Sequence, residues 1–151
     1  THPYITTGLK ETKFGMNAKT ALQLYRHAAE SQHLKIQGIS CHLGSQLTTL
    51  EPFLQALEQL LDLAEGLKKE NIELKTINLG GGLGISYQHE NVPTPQEYCQ
   101  RILDILKKRK TLLQLIIEPG RAIIAQAGIL VTKVEYLKSN NSGVDSYTFS
   151  V

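Results

Sequence analysis

The chain has little of what marks the specialised protein classes. Neither sign of charge dominates: 16 Lys and Arg stand against 14 Asp and Glu, a formal net charge of +2. That balance points to neither a nucleic acid nor an acidic partner. The one basic run, Lys107-Lys108-Arg109-Lys110, falls where a helix is predicted to end, and there cations favour the negative end of the helix dipole. No apolar run approaches the roughly 20 residues that span a bilayer, and no signal-peptide pattern is present, so no membrane partner is expected. Cysteine is scarce. Cys41 and Cys99 stand in unrelated contexts, which suits a reducing, cytoplasmic location better than a disulfide framework. His42, His89, Cys41 and Cys99 show no ligand spacing, so no metal site is expected.

What is present is an ordinary globular composition, 41% hydrophobic and 20% charged over 151 residues, enough for one domain with a real core and not for two. The chain opens on Thr1-His2-Pro3-Tyr4 without an initiator methionine. It closes on Tyr147-Thr148-Phe149-Ser150-Val151, a β-prone alternation with nothing to pair with. It therefore reads as a segment of a longer protein.

Periodicity organises the interior. Residues 1–16 are Gly/Thr/Lys-rich and aperiodic, a loop. Asn17 is placed to cap a helix whose Ala18, Ala21, Leu22, Tyr25, Ala28 and Ala29 share one face. A strand follows over 35–41. Thr48 and Glu51 form a capping-box pattern before a second helix, striped by Leu50, Phe53, Leu54, Leu57, Leu60, Leu61, Ala64 and Leu67. The next strand covers 74–79. Thr94-Pro95-Gln96-Glu97 then repeats the device, with threonine cap, proline in the first turn and glutamate three residues on. This third helix turns Tyr98, Ile102, Ile105 and Leu106 inward and ends near Arg109. A third strand covers 112–117, and a short helical turn 121–127. From Gly128 the pattern changes: Ile129, Val131, Lys133, Glu135 and Leu137 lead to an Asn140-Asn141-Ser142-Gly143 turn, as in an antiparallel hairpin.

Three helix–strand repeats with short connections predict a parallel α/β unit. Each strand end carries chemistry: Cys41-His42-Leu43-Gly44-Ser45-Gln46, Asn78-Leu79-Gly80-Gly81-Gly82-Leu83-Gly84 and Ile117-Glu118-Pro119-Gly120-Arg121. A doubly wound sheet concentrates its fingerprint at one turn, whereas a (β/α)8 barrel collects residues from many strand ends. The expected fold is therefore part of a (β/α)8 barrel over 1–127, with 128–151 a hairpin that leads into a β module and back to the barrel.

The clusters leave alternatives open when taken singly. The glycine run suits a backbone cradle for phosphate or a tight strand-to-loop turn. It fits neither the dinucleotide fingerprint, since Ile85 and Tyr87 fall where a third glycine is needed, nor a Walker loop. His42 is a structural histidine or a catalyst, and Gly44-Ser45 beside it offers backbone and hydroxyl to an anion. Glu118 ends an apolar strand and is expected to enter a partly desolvated site, where it needs a cation. Either Arg121 supplies that cation, or a protonated pyridine nitrogen does. A charged pyridine ring is the better electron sink for a carbanion.

The trio His42-Leu43-Gly44-Ser45-Gln46, Gly80-Gly81-Gly82-Leu83-Gly84-Ile85 and Glu118-Pro119-Gly120-Arg121, with Ala127-Gly128, resembles the barrel-type, alanine-racemase-like (fold III) pyridoxal-phosphate decarboxylases of amino acids. The opening Thr1-His2-Pro3-Tyr4-Ile5-Thr6-Thr7-Gly8 and Lys13-Phe14-Gly15 tilt the resemblance towards the branch acting on diaminopimelate. The resemblance implies pyridoxal 5'-phosphate as cofactor and an amino acid as substrate, with conversion of meso-diaminopimelate to L-lysine and carbon dioxide. It implies His42 on the face of the ring and Glu118 at the pyridine nitrogen, the two catalytic assignments. Ser45, Gly81, Gly82 and Gly120 would hold the phosphate, with Arg121 on phosphate or a substrate carboxylate. A homodimer is implied for the full-length enzyme.

Several family features are missing from the segment. The lysine that holds the cofactor sits in a Tyr-Ala-x-Lys-Ala-Asn-like setting that neither Lys13 nor Lys35 shares. The later cysteine and tyrosine from the C-terminal part are also absent, and the Val-Asp-Ala-Gly motif would begin at Val151. The segment alone is thus expected to be inactive. Rival readings are a related decarboxylase of arginine, ornithine or carboxynorspermidine, a non-catalytic pyridoxal-phosphate-binding barrel protein, and a phosphate-ligand barrel enzyme without pyridoxal.

Overall fold

Asn17 starts the first element by accepting the Thr20 N–H on its side chain at 2.9 Å, and α1 runs Ala18–Glu30. In this computed structural model, residues 15–87, 89–129, 131–134, 136–139 and 147–150 are described. The opening motif 1–14, the turn 140–143 and Val151 lie outside them. The elements that follow α1 are β1 (Gly38–Ser40), α2 (Glu51–Lys69), β2 (Thr76–Asn78), α3 (Pro95–Lys108), β3 (Gln114–Ile116) and α4 (Gly120–Ile124). Beyond them β4 (Tyr136–Ser139) pairs antiparallel with β5 (Tyr147–Ser150).

β1, β2 and β3 form a parallel sheet in sequence order, with Ile39 opposite Ile77 and Ile77 opposite Leu115. Sequential neighbours, each reached through a helix, are what a barrel wall requires. The strands are shorter than their apolar runs predict, yet the ladder continues past them. Cys41 N–H donates to Asn78 O (2.9 Å), Leu79 N–H to Ile116 O (3.1 Å) and Glu118 N–H to Gly80 O (2.8 Å). Those extra rungs tie the three strand-end clusters into the sheet.

The core lies between the sheet and the two longer helices. Phe53, Leu57, Leu61 and Leu67 of α2 and Tyr98 and Ile102 of α3 are buried with Ile77, Leu79 and Leu83. The Phe53 and Tyr98 rings meet edge to face, centroids 4.9 Å apart. Burial pushes the Tyr98 hydroxyl up to about 12, with lesser contributions from Cys99 and Cys41. α3 carries the predicted capping box: the Thr94 hydroxyl accepts the Glu97 N–H (3.1 Å), and the Glu97 carboxylate accepts the Thr94 N–H (2.8 Å).

Two details differ from the sequence expectation. No Thr48 cap forms before α2: Leu50 is the N-cap residue, with no side-chain bond. Pro52 accounts for it: a helix capped at Thr48 would need the residue-52 N–H for its first intrahelical bond, which proline lacks, whereas a start at Glu51 leaves Pro52 in the first turn, where no N–H is required. α1 buries no residue fully. Ala21, Leu22, Tyr25 and Ala28 are half-buried, while Ala18 and Ala29 stay exposed. Its anchor is polar instead, the Tyr25 hydroxyl donating to Gly38 O at 2.7 Å.

Arg109, the C-cap residue of α3, clamps that helix to α2. Its guanidinium reaches Glu58 (2.7 Å), Asp62 (2.7 Å) and Glu65 (2.8 Å), one row of carboxylates spaced along α2. The carboxylates, Glu65 foremost, raise its pKa further and hold it charged. Replacing Arg109 with Met in the full-length protein is expected to cost about 1 kcal/mol, with the loss shrinking in high salt. Urea unfolding at low and high ionic strength checks this; an unchanged midpoint would mean the network contributes nothing.

Candidate functional site

Parallel strands release the chain at one edge of the sheet, so the loops after β1, β2 and β3 stand side by side. The first two are joined as if the sheet continued. Leu47 N–H donates to Gly82 O (2.8 Å) and Leu47 O accepts from Gly84 N–H (2.9 Å), around an isolated parallel bridge between Leu47 and Leu83. The Gln46 carboxamide completes the join with a reciprocal pair to Ile85, its Nε2 donating to the carbonyl (2.5 Å) and its Oε1 accepting the N–H (3.2 Å).

The glycine run has a packing cause. A Cβ on Gly81 would lie 2.3 Å from Glu118 O, and one on Gly82 would lie 2.3 Å from Gly44 O. Real side chains do not tolerate such approaches, so glycine is what lets loop two touch both neighbours. Gly82 also holds φ +100°, which disfavours any side chain. The close-packed turn and the cradle are thus compatible. Of the backbone donors expected at a phosphate, Gly81 N–H goes to His42 Nδ1 (3.3 Å) and Gly120 N–H to Glu118 O (2.8 Å). Among the described residues, Gly82 N–H has no partner.

The predicted side chains come together as follows. His42 is exposed, and because its Nδ1 accepts from Gly81, the ring's proton sits on Nε2 when it is neutral. Ser45 Oγ accepts from Arg121 Nη2 at 3.1 Å, and the same guanidinium donates to the Tyr87 hydroxyl, with its carbon 6.0 Å from the Tyr87 ring centroid. Glu118 does not pair with Arg121, correcting that alternative. Its Oε1 accepts from Asn78 Nδ2 at 2.7 Å, and Asn78 Oδ1 accepts from Gly80 N–H at 2.8 Å. Nor is Glu118 desolvated: it is exposed, because β3 has no neighbour on its far side among the described residues. Burial pushes the Cys41 thiol up, so it remains protonated near neutral pH and supplies no thiolate to the site.

Sequence reasoning gave no role to three residues that shape this edge. Asn78 and Gln46 cross-link loops through carboxamides, and Tyr87 holds Arg121. Tyr87 is itself fixed by the Glu90 carboxylate, which accepts its N–H (2.7 Å) and the Ser86 hydroxyl (3.1 Å). Asn78 and Gln46 stood inside the quoted clusters, and their position at a strand end was the available signal.

The donor set suits a phosphorylated pyridine. A hydroxyl, a guanidinium and an open N–H on adjoining loops match phosphate oxygens, and a fixed carboxylate matches a ring nitrogen that carries a proton.

Comparison with known proteins agrees. Residues 1–125 match the family described as pyridoxal-dependent decarboxylase, pyridoxal binding domain. The chain is 53% identical over 142 residues to diaminopimelate decarboxylase of Haemophilus influenzae, covering 94% of this chain and 34% of that protein. The crystal structure of diaminopimelate decarboxylase from Helicobacter pylori complexed with L-lysine superposes with TM-score 0.82 at 42% identity, over 92% of this chain and 35% of that one. Lysine/ornithine decarboxylase from Vibrio vulnificus, complexed with cadaverine, gives TM-score 0.73 at 28% identity over 88% of this chain and 36% of that one. The chain spans about a third of the length of the curated relatives it matches.

Proposed function

The chain belongs to the pyridoxal-dependent decarboxylase family as part of its pyridoxal-binding barrel domain, and from that premise we propose that the full-length protein carrying it converts meso-diaminopimelate to L-lysine and carbon dioxide. The observation that carries the reading is the convergence of His42, the glycine loop, Glu118 and Arg121 at one sheet edge. Identity to diaminopimelate decarboxylases over nearly the whole chain supports the substrate.

Pyridoxal phosphate, when bound, supplies an electron sink for the carbanion left as carbon dioxide departs. The chain's own residues bind and orient it. The His42 imidazole would lie against one ring face. The Glu118 carboxylate would accept a hydrogen bond from the protonated pyridine N–H and keep that proton in place. Ser45, Gly81, Gly82, Gly120 and Arg121 would hold the phosphate, for which the Gly81 and Gly120 N–H groups would have to leave His42 Nδ1 and Glu118 O. Arg121 is also within the same edge to meet a substrate carboxylate.

The remaining assignments belong to the same reading. The proposed division is barrel over 1–127 and, over 128–151, a lead into a β module and back, with residues 1–14, 140–146 and 151 outside the described ones. The exposed apolar side chains of Leu112, Ile123, Ile124 and Ile129 are where the other barrel strands and that module would pack. The segment alone lacks the cofactor-holding lysine and is inactive, and the full-length enzyme is a cytoplasmic homodimer. Among the described residues no helix is long and apolar enough to cross a membrane.

The test is carbon dioxide release by the full-length protein with pyridoxal phosphate and, in parallel, meso-diaminopimelate, L-arginine and L-ornithine. Release from diaminopimelate alone is expected. Release from another amino acid instead would overturn the substrate while keeping the decarboxylase, and release from none would move the non-catalytic cofactor-binding reading forward.

A further inference from the structure

We propose that Asn78 is a positioning residue that sets the Glu118 carboxylate for the cofactor's ring nitrogen, an inference that rests on the pyridoxal-phosphate reading above. Glu118 is a flexible side chain at an exposed strand end, free to sample many rotamers unless something selects one. The Asn78 Nδ2 donor at 2.7 Å does so, and it occupies Oε1 only. Oε2 has no partner among the described residues and is left to meet the ring nitrogen.

The donor is itself fixed from two directions. Asn78 closes the central strand directly after fully buried Ile77, and its carbonyl accepts the Cys41 N–H at 2.9 Å. Its carboxamide oxygen is held by Gly80 N–H at 2.8 Å, which leaves Nδ2 aimed at loop three. A carboxamide is the short side chain that accepts from an N–H and donates to a carboxylate at once, and it does so without titrating. An aspartate would keep the Gly80 bond, lose the donor and set a second negative charge against Glu118. An alanine would lose both bonds.

The experiment uses the full-length protein with pyridoxal phosphate labelled with nitrogen-15 in the ring, and the variants Asn78→Ala, Asn78→Ser, Glu118→Ala and Asn78→Ala/Glu118→Ala. In the native background Asn78→Ala is expected to weaken cofactor affinity roughly tenfold, the scale of one hydrogen bond to a charged group. In the Glu118→Ala background it should add almost nothing, since the two residues act as one unit. The ring-nitrogen signal of the Asn78→Ala protein should move towards the unprotonated position, a change that a loss of folding stability does not produce. Should Asn78→Ala fail to fold, Asn78→Ser keeps a side-chain oxygen for the Gly80 N–H, is too short to reach Glu118, and is expected to move the same signal in the same direction. Equal affinity losses in both backgrounds, or an unmoved ring-nitrogen signal, would overturn the role given to Asn78 and leave the cofactor reading standing. An unsubstituted protein that takes up no pyridoxal phosphate would overturn both.

Discussion

Replacing Glu118 with Gln in the full-length protein is expected to cut carbon dioxide release by about a hundredfold or more, on the order of 3 kcal/mol in the barrier. The substitution keeps volume and an oxygen that can still accept from Asn78, whose Nδ2 stands 2.7 Å from Oε1. What it removes is the negative charge proposed to keep a proton on the ring nitrogen, and with it the charged ring that would draw off the electron pair. Each pKa unit lost at that nitrogen is worth about 1.4 kcal/mol between the charged and neutral ring. Cofactor affinity should fall far less, because the proposed phosphate contacts lie on other residues, among them Ser45 and Arg121, which are bonded to each other at 3.1 Å. Steady-state decarboxylation and a cofactor titration on the same preparation separate the two effects. A loss of tenfold or less in rate would remove Glu118 from the ring nitrogen; a matched collapse in affinity would make it a binding residue only.

Gly82→Ala is expected to be strongly destabilising for the addition of a single methyl group. The added Cβ would sit 2.3 Å from Gly44 O and 3.1 Å from the Gly44 carbonyl carbon, both backbone atoms that have no rotamer to retreat to. The positive φ adds its own cost. Together these predict a loss of about 3 kcal/mol in unfolding free energy, and the strain falls on the Leu47–Gly82–Gly84 rungs that join the first two loops. Phosphate-dependent uptake of the cofactor should go with it. Gly66→Ala is the control. Gly66 lies within α2 with nothing near its would-be Cβ, so the change is expected to stabilise by roughly 0.5–1 kcal/mol through helix propensity. Denaturant unfolding of both variants beside the parent protein decides the matter. A Gly82→Ala protein as stable as the parent would show that the two loops are not packed as described.

The comparison of these two glycines shows where sequence reading works and where it stops. Local signals were read well because their causes are local. Asn17 caps α1 through a bond three residues long, and Thr94 and Glu97 cap each other over the same span. The three strand ends could be placed because each apolar run stops at a cluster of polar and glycine residues, and parallel connection then puts the stops together. Residue type alone could not say why Gly81 and Gly82 are glycines, since a phosphate cradle and a close loop contact ask for the same residue. The partners of Glu118 and Arg121 were beyond reach for another reason. Asn78 is 40 residues from Glu118, and Ser45 is 76 from Arg121, so both bonds depend on how far each loop reaches across the sheet edge. The spacing of Glu118 and Arg121 suggested a pair, but α4 begins at Gly120 and carries Arg121 towards Ser45 and Tyr87 instead. The Thr48 cap carries the same lesson on a smaller scale: its spacing is overridden by the missing N–H of Pro52.

The central claim is that the three loops form one pyridoxal-phosphate site, and a crystal structure of the full-length protein grown with that cofactor tests it most directly. The account predicts the ring nitrogen within hydrogen-bond distance of Glu118, the His42 imidazole against the ring face, and the phosphate against Ser45, Gly82 and Arg121. A cofactor held elsewhere, or a ring nitrogen facing away from Glu118, would contradict it.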